Sequence, residues 1–111
     1  MQYVNLTPHV VNVYNDEEVV MSLAPSGCVV RIDESVTPSV ELDGIQFVDV
    51  SLGEANGLPE EEENTVLVVS MPLLMGMKAA GLDRPDCVYP FGQVRDDQGR
   101  IIGCRSFASI V

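Results

Sequence analysis

The chain has 111 residues and a mass of 12.0 kDa, 46% of it hydrophobic and 21% charged. That is one domain with enough apolar material for a core, which excludes disordered, collagen-like and low-complexity classes. Six basic residues against seventeen acidic ones give a net charge of -11. This charge repels phosphate backbones and anionic lipid, so neither direct nucleic-acid binding nor membrane binding is expected. No apolar run nears the ~18 residues of a bilayer-spanning helix, and the start carries no basic, secretory-type leader, so a cytoplasmic protein is expected.

Turn residues punctuate the sequence often and the apolar segments between them are short, a pattern that favours strands. The first hairpin is expected around residues 14–18, joining strands at 9–14 and 19–23. Ala24-Pro25-Ser26-Gly27 reads as a type I turn, with Pro second and Gly fourth, leading into a strand at 28–32. The strongest hairpin signal lies at 38–50. Asp43-Gly44 suits a two-residue type I′ turn, and counting outward pairs Leu42 with Ile45, Glu41 with Gln46 and Val40 with Phe47. Residues 65–70, Thr-Val-Leu-Val-Val-Ser, are apolar on both faces and predict a central buried strand. One helix follows at about 72–80, capped by Ser70 or Met71, with Pro72 in its first turn, an apolar stripe of Leu73, Leu74 and Met77, and Gly81 as terminator. A last hairpin is expected at 93–95 and 100–104, turning through Gly99. The fold class is therefore α+β: a mainly antiparallel sheet or small barrel-like sheet with one packed helix, in a single domain spanning 1–111.

Few residues offer chemistry. Cys28, Cys87 and Cys104 are far apart, form no C-x-x-C and have a single histidine for company, so three reduced thiols and no structural zinc are expected. Glu60 to Glu63 lack the alternate spacing and glycine of a calcium loop and read as a solvated acidic segment. No phosphate loop, dinucleotide fingerprint, nucleophile elbow or metalloprotease helix is present, and no cofactor is expected. If the chain is catalytic, His9 is the group able to move protons near neutrality, with Asp86 as its orienting carboxylate. Thr7 and Ser26 would then position a substrate, and Arg84 or Arg105 would clamp a planar anion. The same residues, with Asn5, are the candidates for binding without catalysis.

The segments Asn5-Leu6-Thr7-Pro8-His9, Val11-Asn12-Val13, Pro25-Ser26-Gly27, Gly57-Leu58-Pro59, Val69-Ser70, Arg84-x-Asp86 and Ile102-Gly103-Cys104 resemble a family of small uncharacterised proteins. These occur in bacteriophages, prophages and bacterial hosts. The resemblance covers nearly the whole chain, and its most specific part is the opening N-L-T-P-H. The acidic run at Glu60 to Glu63 departs from it, since relatives carry a Pro and fewer acids there. It implies an accessory protein acting in the cytoplasm of an infected or lysogenic cell, without supplying a reaction. The expected function is a non-enzymatic binding module that inhibits a host protein or sequesters a small anionic metabolite. The alternatives are a small hydrolase or transferase acting through His9 on a phosphorylated or nucleotide-like substrate, and a virion structural protein.

Overall fold

The structure is a computed structural model that describes residues 1–28 and 30–111. Its elements in chain order are β1 (Gln2–Asn5), β2 (Val11–Asn15), β3 (Glu18–Leu23), β4 (Arg31–Leu42), β5 (Ile45–Asn56), β6 (Thr65–Val68), α1 (Met71–Ala79), β7 (Cys87–Arg95) and β8 (Ile101–Ala108). Six strands form one sheet in the order β1-β6-β7-β8-β2-β3, while β4 and β5 pair only with each other. The fold is α+β and mainly β, as the turn spacing predicts. No helix among the described residues is long and apolar enough to cross a membrane.

The sheet wraps into a nearly closed barrel. Its two edge strands, β1 and β3, approach one another, and the Asn5 side chain at the end of β1 donates to the Leu23 carbonyl at the end of β3 (3.0 Å). β6 lies between β1 and β7, parallel to both, which places it at the centre of the apolar layer. Its alternation divides the core. Leu67 points with Leu6, Leu74, Met77 and Cys87 toward α1, together with Val69 just past the strand, whereas Val68 packs with Val11 and Cys104 inside the barrel. Val68 and Val69 are wholly buried. The strand is thus apolar on both faces because both faces are covered.

The helix forms where the residues dictate. Ser70 Oγ accepts from the Leu73 amide (3.4 Å), Pro72 occupies the first turn, and Gly81 closes the C-terminus at φ +79°. The β7–β8 hairpin turns as expected through Gly99 at φ +80°. Asp96 fastens it by accepting from the Arg100 amide (2.9 Å), the Arg100 Nε and the Gln98 amide. Those bonds, the Arg100 amide foremost, hold the Asp96 carboxyl below its usual range.

Three expectations need correction. Ala24 to Gly27 is not a hydrogen-bonded type I turn: the Gly27 amide makes no bond to the Ala24 carbonyl among the described residues, and the segment is held instead by the Ser26 amide, which donates to the Asn5 carbonyl (2.9 Å). Of the strand expected at 28–32, residue 29 lies outside the described residues, and the regular strand begins at Arg31. The central hairpin is also far longer than the 38–50 segment. Its turn is as expected, with Asp43 at φ 55° and Gly44 at φ 76°, and so are the pairs Leu42 with Ile45 and Glu41 with Gln46. Beyond them a bulge between Pro38 and Glu41 shifts the register, and Pro38 meets Val48.

β4 and β5, twelve residues each, form an arm about 40 Å long. Its root rests on α1, where Gly76 makes room: a Cβ there would come within 2.5 Å of Ile32 Cδ1 and 3.4 Å of Leu52 Cδ1. A second close approach lies where β2 meets β8. A Cβ on Gly103 of β8 would stand 2.6 Å from the Asn12 carbonyl oxygen and 2.5 Å from the Tyr14 ring, so the β2–β8 seam depends on a bare α-carbon.

Candidate functional site

The N-L-T-P-H segment is a polar knot at the mouth of the barrel. Asn5 is almost fully buried, and all four of its side-chain bonding positions are used. Nδ2 donates to the His9 carbonyl (2.7 Å) and the Leu23 carbonyl (3.0 Å). Oδ1 accepts from the Thr7 amide (2.9 Å) and lies 2.7 Å from Thr7 Oγ1. The Thr7 hydroxyl also lies 3.0 Å from the His9 carbonyl, so its single proton serves one of two acceptors. An asparagine two residues before a bonded amide is an Asx-turn, which is why this residue type ends β1 here. The Asn5 side chain is consumed by structure, as is most of the bonding capacity of Thr7.

Pro8 and His9, consecutive in the turn, line different clefts. One, of about 380 Å³, lies between this turn, residues 25–28, Val30 and Arg31, and the start of α1. Leu6, Val30 and Leu73 give it apolar walls, and Thr7, Ser70 and Arg31 bring polar groups from three separate parts of the chain. No carboxylate lines it, in a protein with seventeen. Arg31 stands at the root of the arm, exposed, and makes no ion pair among the described residues. The other cleft, about 390 Å³, runs along His9, Val10, Pro90 and Ile101, and it too is lined by no carboxylate.

The remaining candidates lie elsewhere and are already engaged. Arg84 Nε and Nη2 hold Asp86 as a two-pronged pair (3.0 and 2.9 Å), and Nη2 also donates to the Pro59 carbonyl (2.7 Å). The Asp86 side chain is only 7% exposed. The bond to Asp86 raises the Arg84 pKa above its ordinary value, so this arginine ties the loop after β5 to the start of β7. Arg105 donates to the Asp16 carbonyl (3.0 Å) and braces the β2–β3 turn. Asp86 thus turns both oxygens to Arg84, and no hydrogen bond or ion pair joins it to His9 among the described residues. His9 is exposed, and its backbone, rather than its imidazole, takes part in the turn. Ser26 Oγ accepts from the Cys28 amide (3.3 Å) beside the first cleft.

The thiols divide in the same way. Cys87 and Cys104 are buried and Cys28 is exposed, all unpaired. Burial, with the Asp86 carboxylate next to it, pushes the Cys87 thiol up to about 11. Among the described residues no three of His, Cys, Asp and Glu cluster to hold a metal.

No family model, curated protein or solved structure matches this chain. The site must be read from its own geometry. Sequence reasoning singled out Arg84 and Arg105 because they border turns, and it passed over Arg31. The signal that distinguishes Arg31 is three-dimensional, since the cleft joins segments far apart in sequence.

Proposed function

We propose that this chain is a non-enzymatic binding module of the phage accessory type, acting in the cytoplasm and sequestering a small anionic metabolite in the cleft beside Arg31. The observation that carries this reading is the lining of that cleft: one arginine that makes no ion pair among the described residues, two hydroxyls and apolar walls. Its volume falls in the range of about 300–1,000 Å³ typical of small-molecule sites. A guanidinium offers a planar fork to carboxylate or phosphate, the Ser70 hydroxyl keeps its proton to donate, and the Thr7 oxygen, whose proton is already engaged, can only accept. The surrounding negative charge keeps the occupant small, because a polyanion would meet the carboxylates outside the cleft. The phage context rests on the N-L-T-P-H resemblance.

Calorimetric titration with inorganic phosphate, nucleoside monophosphates and short dicarboxylates tests the reading. One of these classes binds, and Arg31→Ala weakens it by about 10- to 100-fold, the loss of a charge-assisted hydrogen bond, whereas Arg105→Ala leaves it unchanged. Absence of binding across the three classes, or equal binding by Arg31→Ala, overturns it. The enzymatic alternative requires His9 to act with a carboxylate, and turnover of a phosphorylated substrate lost in His9→Ala would restore it.

A further inference from the structure

The arm formed by β4 and β5 has apolar side chains with nothing over them. Val36, Val40, Leu42, Ile45, Phe47, Val48, Val50 and Leu52 are each between 46% and 61% exposed. Register shows how they are arranged. Val36 stands opposite Val50 and Pro38 opposite Val48, with Leu52 next along the same face, so the middle of one ribbon face is a continuous apolar stripe. Polar side chains stand at both ends: Glu41 opposite Gln46 toward the tip, and Glu34, across from Leu52, toward the root.

The size of the uncovered surface points to its occupant. The accessible area is 7760 Å², about 1,800 Å² more than a compact 12 kDa monomer exposes. The radius of gyration is 16.7 Å, against about 13 Å for a compact chain of this length. A stable interface needs about 800 Å² from each partner, and the excess, taken over the whole chain with both arm faces open, is about twice that. Two-stranded ribbons are marginal in water without a packed face. An arm that needs cover in every molecule is best served by a partner made in equal amount.

We infer that the arm is a self-association device: two copies pair about a twofold axis by packing the Val36–Pro38–Val48–Val50–Leu52 faces of their arms together. A twofold interface uses the same patch on both sides, and this stripe, apolar in the middle and polar at both ends, is self-complementary in that sense. The arm is also acidic, with Asp33, Glu34, Glu41, Asp43, Asp49 and Glu54 against the single Arg31. Charges at the rim of a twofold pair repel, so association strengthens as salt is added. A basic protein partner would show the opposite dependence. This inference is independent of the Arg31 cleft, and its test uses no ligand.

Sedimentation equilibrium of the full chain at micromolar concentration is expected to give twice the 12.0 kDa chain mass, with tighter association at high salt. Val50→Asp, alone or with Val36→Asp, is expected to weaken association by at least about tenfold, the effect of a charge at the centre of an apolar interface. Far-ultraviolet circular dichroism of these variants should be unchanged. Hydrogen exchange of the unaltered chain supplies a readout that needs no variant: raising concentration slows exchange of arm amides and not of barrel amides. A chain that stays monomeric, an oligomer indifferent to Val50→Asp, an assembly larger than two copies, or exchange in the arm independent of concentration each overturns the inference.

Discussion

The barrel and the arm are built from the same kinds of side chain and differ in what lies against them. In the barrel, the leucine and valines of residues 67–69 are covered on both sides, by α1 and by the strands around Val11 and Cys104. In the arm, eight comparable side chains have a hydrogen-bonded neighbour strand and open solvent. Both are hydrogen-bonded strand pairings of the backbone. The difference teaches that a strong hairpin signal fixes a ribbon and leaves open whether the ribbon has a core. Apolar burial, at about 25 cal/mol per Å² removed from water, stabilises the barrel and is withheld from the isolated arm.

The sharpest contrast is between two glycines. Gly103→Ala is expected to destabilise the chain by about 3 kcal/mol in urea unfolding, because the added methyl meets the Asn12 carbonyl and cannot escape by a rotamer change. A loss below about 1 kcal/mol would mean that the β2–β8 seam can open to admit it. Next come two leucines. Leu67→Ala should cost about 2–5 kcal/mol through lost transfer energy and a cavity. Leu42→Ala, at the arm tip, should stay within about 0.5 kcal/mol when measured at low concentration. Equal losses at both would break the distinction between covered and uncovered ribbon.

Alkaline pH probes the barrel through Cys87. Its thiol is raised from 9.0 to about 11 in the folded state, so the native protein holds this proton more tightly than the unfolded chain does. Below about 9 both states keep the proton and stability is unaffected. Stability then falls as pH rises from 9 through 11, because unfolding releases the proton. Urea midpoints across this window should decline less for Cys87→Ala than for the unaltered chain. Exposed Cys28 should react with a thiol reagent in the native state, with Cys87 following only on unfolding. The smallest effect is expected at the arm root. Gly76→Ala gains about 1 kcal/mol of helix propensity and pushes on Ile32 Cδ1, the movable end of a side chain, so net stability should stay within about 1 kcal/mol. Exchange of amides near Ile32 and Leu52 should nevertheless quicken.

Most of the elements were legible because their signals are local. Asp43-Gly44 demands positive φ at both turn positions, Ser70 and Pro72 open a helix, and Gly81 closes it. What escaped was whatever depends on a distant partner. The segment at 24–27 is held by the Ser26 amide on the Asn5 carbonyl rather than by a bond of its own, a choice made by the return of the chain after β3. The parallel neighbours of β6 leave no mark in its sequence beyond two-sided apolarity. At the candidate site, Thr7 was visible as part of a turn, yet its cleft needs Arg31 and Ser70, which only the tertiary fold brings near. Arg84 looked like a ligand clamp because nothing in its local sequence shows that its guanidinium reaches the Pro59 carbonyl.

The β2–β8 seam sets an order of events during synthesis. Val13 finds its partner Cys104 only after most of the chain has emerged, and β1 must wait for β6. The β4–β5 hairpin, by contrast, is complete in itself once Asn56 is made, and hairpins close in about 1–10 μs. Because non-local pairing is slow and is delayed until β8 exists, the arm's own pairing is open to the nascent chain before the barrel's, and the ribbon stays marginal until it is covered.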